Sequence, residues 1–299
     1  LDFFGRGRLT AIIVGHRIVA RRQKKKNSRP RGAAIDFKEE RIMALAGQVT
    51  NPERLEERDV SFQSDGTAIN AYLARPREPG SYPGIIVIHE AWGVNEHIRD
   101  VTRRFANLGY IALAPDLYTR VGAPKAQNSM DVVISRMLSL SDAQLVRDLD
   151  KAADLLASQP GMSGKIGCVG FCMGGRTTLL YACSSNRLSA AIDCWGGAVT
   201  ADAAPVIPQR PTPIADLVSQ LSCPLYLVGG EEDANPSPTQ LEALSQRLRQ
   251  AGKTFTVDIF KNAGHAFLAD YRPSYREKAA FELWPKMASF FETHLKGKK

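Results

Sequence analysis

The stretch KIGCVGFCMGGRTTLLYA, residues 165–182, reads as a strand, a sharp turn and a helix with a cysteine at the apex. Lys165–Val169 is an apolar, partly β-branched run, whereas Met173, Leu179, Leu180 and Ala182 recur at helical spacing. Between them, Gly170-Phe171-Cys172-Met173-Gly174-Gly175 follows the nucleophile-elbow pattern Gly-x-nucleophile-x-Gly, with cysteine where serine is more usual. A residue at such an apex sits in a strained backbone conformation. Strand and helix can close around it only if the flanking residues lack side chains, as Gly170 and Gly174 do. A cysteine ahead of a helix is by default a small buried apolar residue. Assigning it chemistry therefore requires an acid and a histidine at suitable places.

Outward from this unit, apolar strands alternate with helices. ERDVSFQS and GTAINAYLARP read as a hairpin around Asp65-Gly66. GIIVIHE (84–90) is a continuous apolar strand of the kind buried on both faces of a parallel sheet. Asn95–Leu108 is an amphipathic helix and YIALAPDLY the next strand, residues 120–140 read as irregular, and Ser141–Ser158 is a helix capped by Ser141 or Asp142. After the elbow come SAAIDCW, a proline-rich loop over 196–221, CPLYLVGG, a helix from Pro238 to Ala251, TFTVDIF and a last helix from Tyr275 to His294. The pattern predicts an α/β fold: a mostly parallel central sheet with helices on both faces. Three segments are expected: a basic arm over 1–35, a helical lead-in over 36–56, and a single α/β domain over 57–299.

The net charge of +8 suggests nucleic acid until it is located. Residues 1–35 hold ten Lys and Arg against one acid, Asp2, which leaves 29 basic and 30 acidic residues in the rest. The expected folded part is nearly neutral, so no nucleic-acid partner is expected for it. The arm lacks the long apolar core of a secretory signal, because RIVARRQKKK follows its short run LTAIIVG. An organellar presequence, a tether to anionic partners, or sequence upstream of the true start are all compatible with it. The apolar runs, such as IIVI at 85–88, have strand length and none could span a bilayer. Cysteines 168, 172, 183, 194 and 223 form no Cys-x-x-Cys pair and no zinc spacing. An odd number in apolar context points to a reducing compartment, hence a cytoplasmic location, and no metal or cofactor is expected.

In a sheet of this type, functional groups gather at the carboxyl ends of the strands. The strand ending at Val228 leads into Gly229-Gly230-Glu231-Glu232-Asp233, and the one ending at Phe260 into Lys261-Asn262-Ala263-Gly264-His265. Nucleophile, acid and histidine thus occur in the order Cys172, Asp233, His265. His265 is the candidate base and Asp233 its orienting acid, with Glu231 and Glu232 as alternatives for the acid. His16, His97 and His294 are poorly placed, and His89 ends a strand, where it would be near without being in line. The backbone N–H groups of Met173 and Ala91 are the candidate oxyanion donors. Glu90 ends a wholly apolar strand, where an unpaired carboxylate is costly. Trp92, Tyr118, Phe171 and Phe267 are candidate pocket walls.

IVIHEAWGVNEHIRDVTRRFANLGYIALAPDLY, VGFCMGG, GGEED and AGHAF together resemble the dienelactone hydrolase family, the carboxymethylenebutenolidases of the α/β-hydrolase fold. The similarity runs in register from about residue 57 to the last helix. It implies Cys172, Asp233 and His265 as a catalytic triad, and Glu90 as the carboxylate that meets the resting thiol and takes its proton when substrate binds. It also implies arginines that hold a substrate carboxylate. One should follow the histidine closely, where Ala266-Phe267-Leu268-Ala269-Asp270 stands and the next arginine is Arg272; the other should lie in 120–140, where Arg136 is an approximate match. The expected activity is hydrolysis of a small ester or lactone by a monomer or homodimer, through an acyl-enzyme on Cys172. A broad carboxylesterase or thioesterase, or a non-catalytic scaffold with a basic binding arm, are the alternatives.

Overall fold

A computed structural model describes residues 45–297 apart from 126, 201, 204 and 205. The arm over 1–35 and most of the expected lead-in helix lie outside the described residues. After a single 3₁₀ turn at Pro52–Arg54, strand β1 begins at Leu55.

Strands β1 (Leu55–Ser64) and β2 (Thr67–Pro76) form the expected hairpin, antiparallel with Ser64 opposite Thr67. Asp65 and Gly66 both take positive φ, 45° and 74°, as a two-residue turn of this hand requires. The sheet continues through β3 (Tyr82–Ile88), β4 (Ile111–Pro115), β5 (Met162–Phe171), β6 (Ala190–Cys194), β7 (Leu225–Gly230) and β8 (Phe255–Phe260). Its eight strands lie in the order β1-β2-β4-β3-β5-β6-β7-β8, parallel from β4 onward. The order reverses beside β3 and β5, which places the ends of those two strands at the centre of the sheet's functional edge.

Alternate residues of the buried strands feed two cores. Ile85 and Val87 of β3 pack with Val101 and Phe105 of α1 (Glu96–Asn107) and with Leu283, Met287 and Phe291 of the last helix (Glu277–Lys296). Ile86 and Ile88 face the opposite core with Leu145 and Leu149 of the helix Asp142–Ala157 and Leu179 and Leu180 of the helix Met173–Ser184. In chain order these helices are α1, α2 (Met130–Ser139), α3 (Asp142–Ala157), α4 (Met173–Ser184), α5 (Pro238–Gln250) and α6 (Glu277–Lys296). Sequence periodicity missed α2 because it has almost no core face. Val133 is its buried residue, while Met130, Val132 and Ile134 are exposed. Ser141 is the N-cap of α3 but makes no side-chain cap bond; Asp142 instead turns inward to Arg176.

Candidate active site

The site is built where β5 turns into α4. Cys172, at the N-cap of α4, has φ 57° and ψ −117°, a region that L-residues avoid unless their surroundings hold them there. Its N–H donates to the Cys194 carbonyl (3.0 Å) and its carbonyl accepts from the Arg176 N–H (3.1 Å). The glycines allow the turn by close approach: a Cβ on Gly170 would lie 2.0 Å from the Gly174 carbonyl oxygen, and one on Gly174 would lie 2.4 Å from that of Ile88. The thiol is partly exposed, whereas Cys168, Cys183, Cys194 and Cys223 are buried. Burial pushes the Cys168, Cys183 and Cys223 thiols up to about 12, which keeps them protonated and unreactive.

The loops after β7 and β8 bring the acid and the histidine together. His265 Nδ1 lies 2.8 Å from Asp233 Oδ2, and the other carboxylate oxygen accepts from the Asn235 N–H at 2.9 Å. Asp233 is thus buried and doubly held, while the imidazole is about one-third exposed. Burial works against charging His265, but its hydrogen bonds with Asp233 and with Cys172 outweigh that and raise it to about 10. The ring is thus held by the carboxylate and close enough to Cys172 to feel it, as an imidazole that exchanges a proton with a thiol must be. Glu231 instead accepts from the Asn262 N–H at 3.2 Å.

Glu90 is buried beside this centre. Its Oε2 accepts from the Tyr271 hydroxyl and from Arg272 Nη1, both at 3.4 Å, and its Oε1 is buried with no hydrogen-bond partner among the described residues. Asn95, the N-cap of α1, donates to the Tyr271 hydroxyl at 3.2 Å. Trp92, Asn95, Pro124, Tyr271 and Arg272 line a cavity of about 320 Å³ on this side. Tyr271 and Asn95 carried no motif of their own; their signal was proximity in sequence to Arg272 and to the strand end at Glu90.

The other expected wall residues lie elsewhere. Tyr118, Phe171 and Phe267 are at most 1% exposed. Phe171 and Phe267 both pack on Trp195, and Tyr118 stacks on His89 while its hydroxyl donates to Met173 Sδ at 3.3 Å. They support the site from the core rather than line an opening. Arg136, on α2, gives its guanidinium to the Val121 carbonyl. The cation beside Glu90 is Arg272. Met173 and Ala91 are both buried, Met173 as the first residue of α4 and Ala91 in the turn after β3. Among the described residues no cluster of three or more His, Cys, Asp or Glu side chains could hold a metal ion. Nor is any helix among them long and apolar enough to cross a membrane.

The profile of the dienelactone hydrolase family matches residues 69–295. A protein of Methylorubrum extorquens, provisionally named a carboxymethylenebutenolidase, is 38% identical over 240 residues, which span 79% of this chain and 80% of that one. A provisionally named carboxymethylenebutenolidase of Escherichia coli K12 is 38% identical over 237 residues, 78% of this chain and 86% of its own length. Among solved structures, a provisionally named dienelactone hydrolase of Klebsiella pneumoniae superposes with a TM-score of 0.75 at 36% identity, covering 79% of this chain and 98% of that one.

Proposed function

Because the chain belongs to the dienelactone hydrolase family and is a carboxymethylenebutenolidase-like hydrolase, we propose that it cleaves a small ester or lactone through Cys172 and an acyl-enzyme. The observation that carries this reading is the strained, partly exposed Cys172 at the head of α4, set beside a histidine that is 2.8 Å from a buried aspartate.

The sulfur attacks the carbonyl carbon as thiolate, its proton passing to His265, whose charge Asp233 supports. The carbonyl oxygen becomes an oxyanion facing the N–H groups of Met173 and Ala91 at the positive end of α4. Collapse breaks the bond to the alcohol oxygen, which takes the proton from His265, and leaves a thioester on Cys172. Water then attacks that thioester, His265 takes its proton, and the acid departs as the thiol is regenerated. Glu90 is a second proton acceptor for the thiol once its contact with Arg272 is broken by substrate. Arg272, on the wall of the cavity bounded by Trp92 and Tyr271, is a cation that an acid arm on the substrate can engage.

Cys172→Ala should abolish hydrolysis of a small activated ester such as p-nitrophenyl acetate. Iodoacetamide should inactivate the wild type with the label on Cys172. Retention of more than a few percent of the rate, or labelling confined to other cysteines, overturns the assignment.

A further inference from the structure

The side chain of His89 is wholly buried at the carboxyl end of β3, one residue before Glu90 and two before Ala91. Its two ring nitrogens have distinct partners. The Leu117 N–H points at Nε2 from 3.1 Å, and a backbone N–H can only donate, so Nε2 carries no proton. The ring proton is therefore on Nδ1, which lies 2.7 Å from the Glu90 carbonyl oxygen and donates to it. Burial pulls the imidazole below its ordinary value despite the Glu90 carbonyl and Asp116 nearby, which agrees with a neutral ring of one tautomer. Tyr118 stacks on the ring with centroids 5.2 Å apart, fixing its plane.

The Glu90 carbonyl and the Ala91 N–H belong to one peptide group. In a trans peptide the two point in opposite directions across a rigid plane. A donor that grips the carbonyl therefore sets the direction of the N–H. The Gly93 N–H also reaches that carbonyl, at 3.3 Å, so the turn and the imidazole hold it together. The backbone of His89 meets the elbow as well: a Cβ on Gly174 would come within 2.6 Å of the His89 carbonyl oxygen. His89 thus touches α4 through its main chain and the Glu90–Ala91 peptide through its side chain.

We propose that His89 is a positioning residue for the oxyanion-binding peptide: its Nδ1–H holds the Glu90 carbonyl and so aims the Ala91 N–H at the carbonyl oxygen of a substrate bound to Cys172. This role rests on the proposed acyl transfer at Cys172. It makes no contact with substrate necessary. It also explains why a neutral histidine is kept in a fully buried position: the imidazole spans two backbone groups, Leu117 N–H and Glu90 C=O, that lie on different loops.

The test compares His89→Gln, which can still accept from Leu117 but lacks a donor at the Nδ1 position, with His89→Asn, whose amide can place one there. With p-nitrophenyl acetate, His89→Gln should lose about tenfold or more in kcat with little change in KM, and His89→Asn should recover most of that loss. Alkylation of Cys172 by iodoacetamide forms no oxyanion, so its rate in both folded variants should match the wild type. An undiminished kcat in His89→Gln, a parallel fall in the alkylation rate, or no recovery in His89→Asn overturns the role of His89. Cys172→Ala assayed alongside separates the two failures. Continued turnover by that variant removes the nucleophile and the oxyanion peptide together, whereas an inactive Cys172→Ala with a fully active His89→Gln removes His89 alone.

Discussion

Arg104 and Asp270 meet at 2.6 Å, joining helix α1 to the irregular segment that follows His265. Arg104 is 1% exposed and is itself fixed by Asp100 and by the Ala46 carbonyl, each at 2.7 Å. The other oxygen of Asp270 lies 3.3 Å from His97 Nδ1, and the His97 ring leans against Tyr271. Burial works against ionising Asp270, but His97 and Arg104 outweigh it and hold the carboxyl below its ordinary value. The two residues after this anchor, Tyr271 and Arg272, are the ones that contact Glu90. Asp270 thus ties to α1 a segment otherwise held by turn bonds such as Arg272 N–H to the Ala269 carbonyl and Arg276 N–H to that of Phe267, each at 3.0 Å.

Asp270→Asn keeps the shape and removes the charge. Arg104 then keeps Asp100 but loses its second carboxylate, at a cost of roughly 1–3 kcal/mol. Release of Tyr271 and Arg272 should raise KM for a substrate with an acid arm more than for p-nitrophenyl acetate. Urea unfolding and kinetics on the two substrates check this; unchanged stability together with an unchanged KM ratio would contradict the anchoring role.

Gly174→Ala tests the elbow's tolerance. The new methyl would fall 2.4 Å from the Ile88 carbonyl oxygen and 2.6 Å from that of His89, both backbone atoms at the end of the central strand β3. Neither can move without disturbing the sheet, so a loss of about 2–4 kcal/mol is expected, with activity falling further than stability because the Cys172 turn shifts. A melting temperature within a degree or two of the wild type would show that the elbow yields more easily than this packing allows.

The elbow was legible in sequence because its chemistry is local. Glycines at 170 and 174, a strand before and a helix after are all contiguous, and the strand ends at Gly230 and Phe260 mark where Asp233 and His265 begin. The walls were not legible, because a side chain's facing is decided by packing that no spacing encodes. Phe171 and Phe267 stand beside the candidate catalytic positions in sequence, yet both turn into the core onto Trp195. Tyr271 and Asn95 are 176 residues apart and meet only once α1 and the post-His265 segment are docked. Helix α2 escaped detection for a related reason: a helix with one buried residue leaves no apolar stripe to read.

Asp193, at the end of β6, gives a pH signature of its own. One carboxylate oxygen accepts from the Gly196 N–H at 2.8 Å, while the other is buried with no hydrogen-bond partner among the described residues. Burial raises the carboxyl to about 7, with the Gly196 bond only partly opposing it. The folded chain then holds a proton that the unfolded chain releases above its ordinary value of 3.8, so stability should decline as pH rises from about 4 to 7. Asp193→Asn should remove that decline and be more stable than the wild type by roughly 2–4 kcal/mol at pH 8, with little difference at pH 4. Parallel pH profiles for the two proteins would mean that the carboxyl is ionised in the folded state.

His265 acts in the same direction, in a higher pH window. Its value in the folded protein, about 10, exceeds the ordinary 6.5 because the bonds with Asp233 and Cys172 outweigh burial. A group raised in this way favours the folded state fully below pH 6.5, and that contribution is lost as pH climbs through 10. Compared with His265→Gln, the wild type should therefore hold its largest stability advantage near pH 6, and the gap should narrow steadily toward pH 10. The ring is about one-third exposed, so solvent screening limits the size of the gap more than its direction. Denaturant midpoints of both proteins at four or five pH values measure it. A gap that is flat or widens with pH would show a neutral imidazole in the resting protein, free to take the thiol proton itself. A narrowing gap places a charged imidazole at the site before substrate arrives, which in the proposed mechanism is the form that protonates the leaving alcohol.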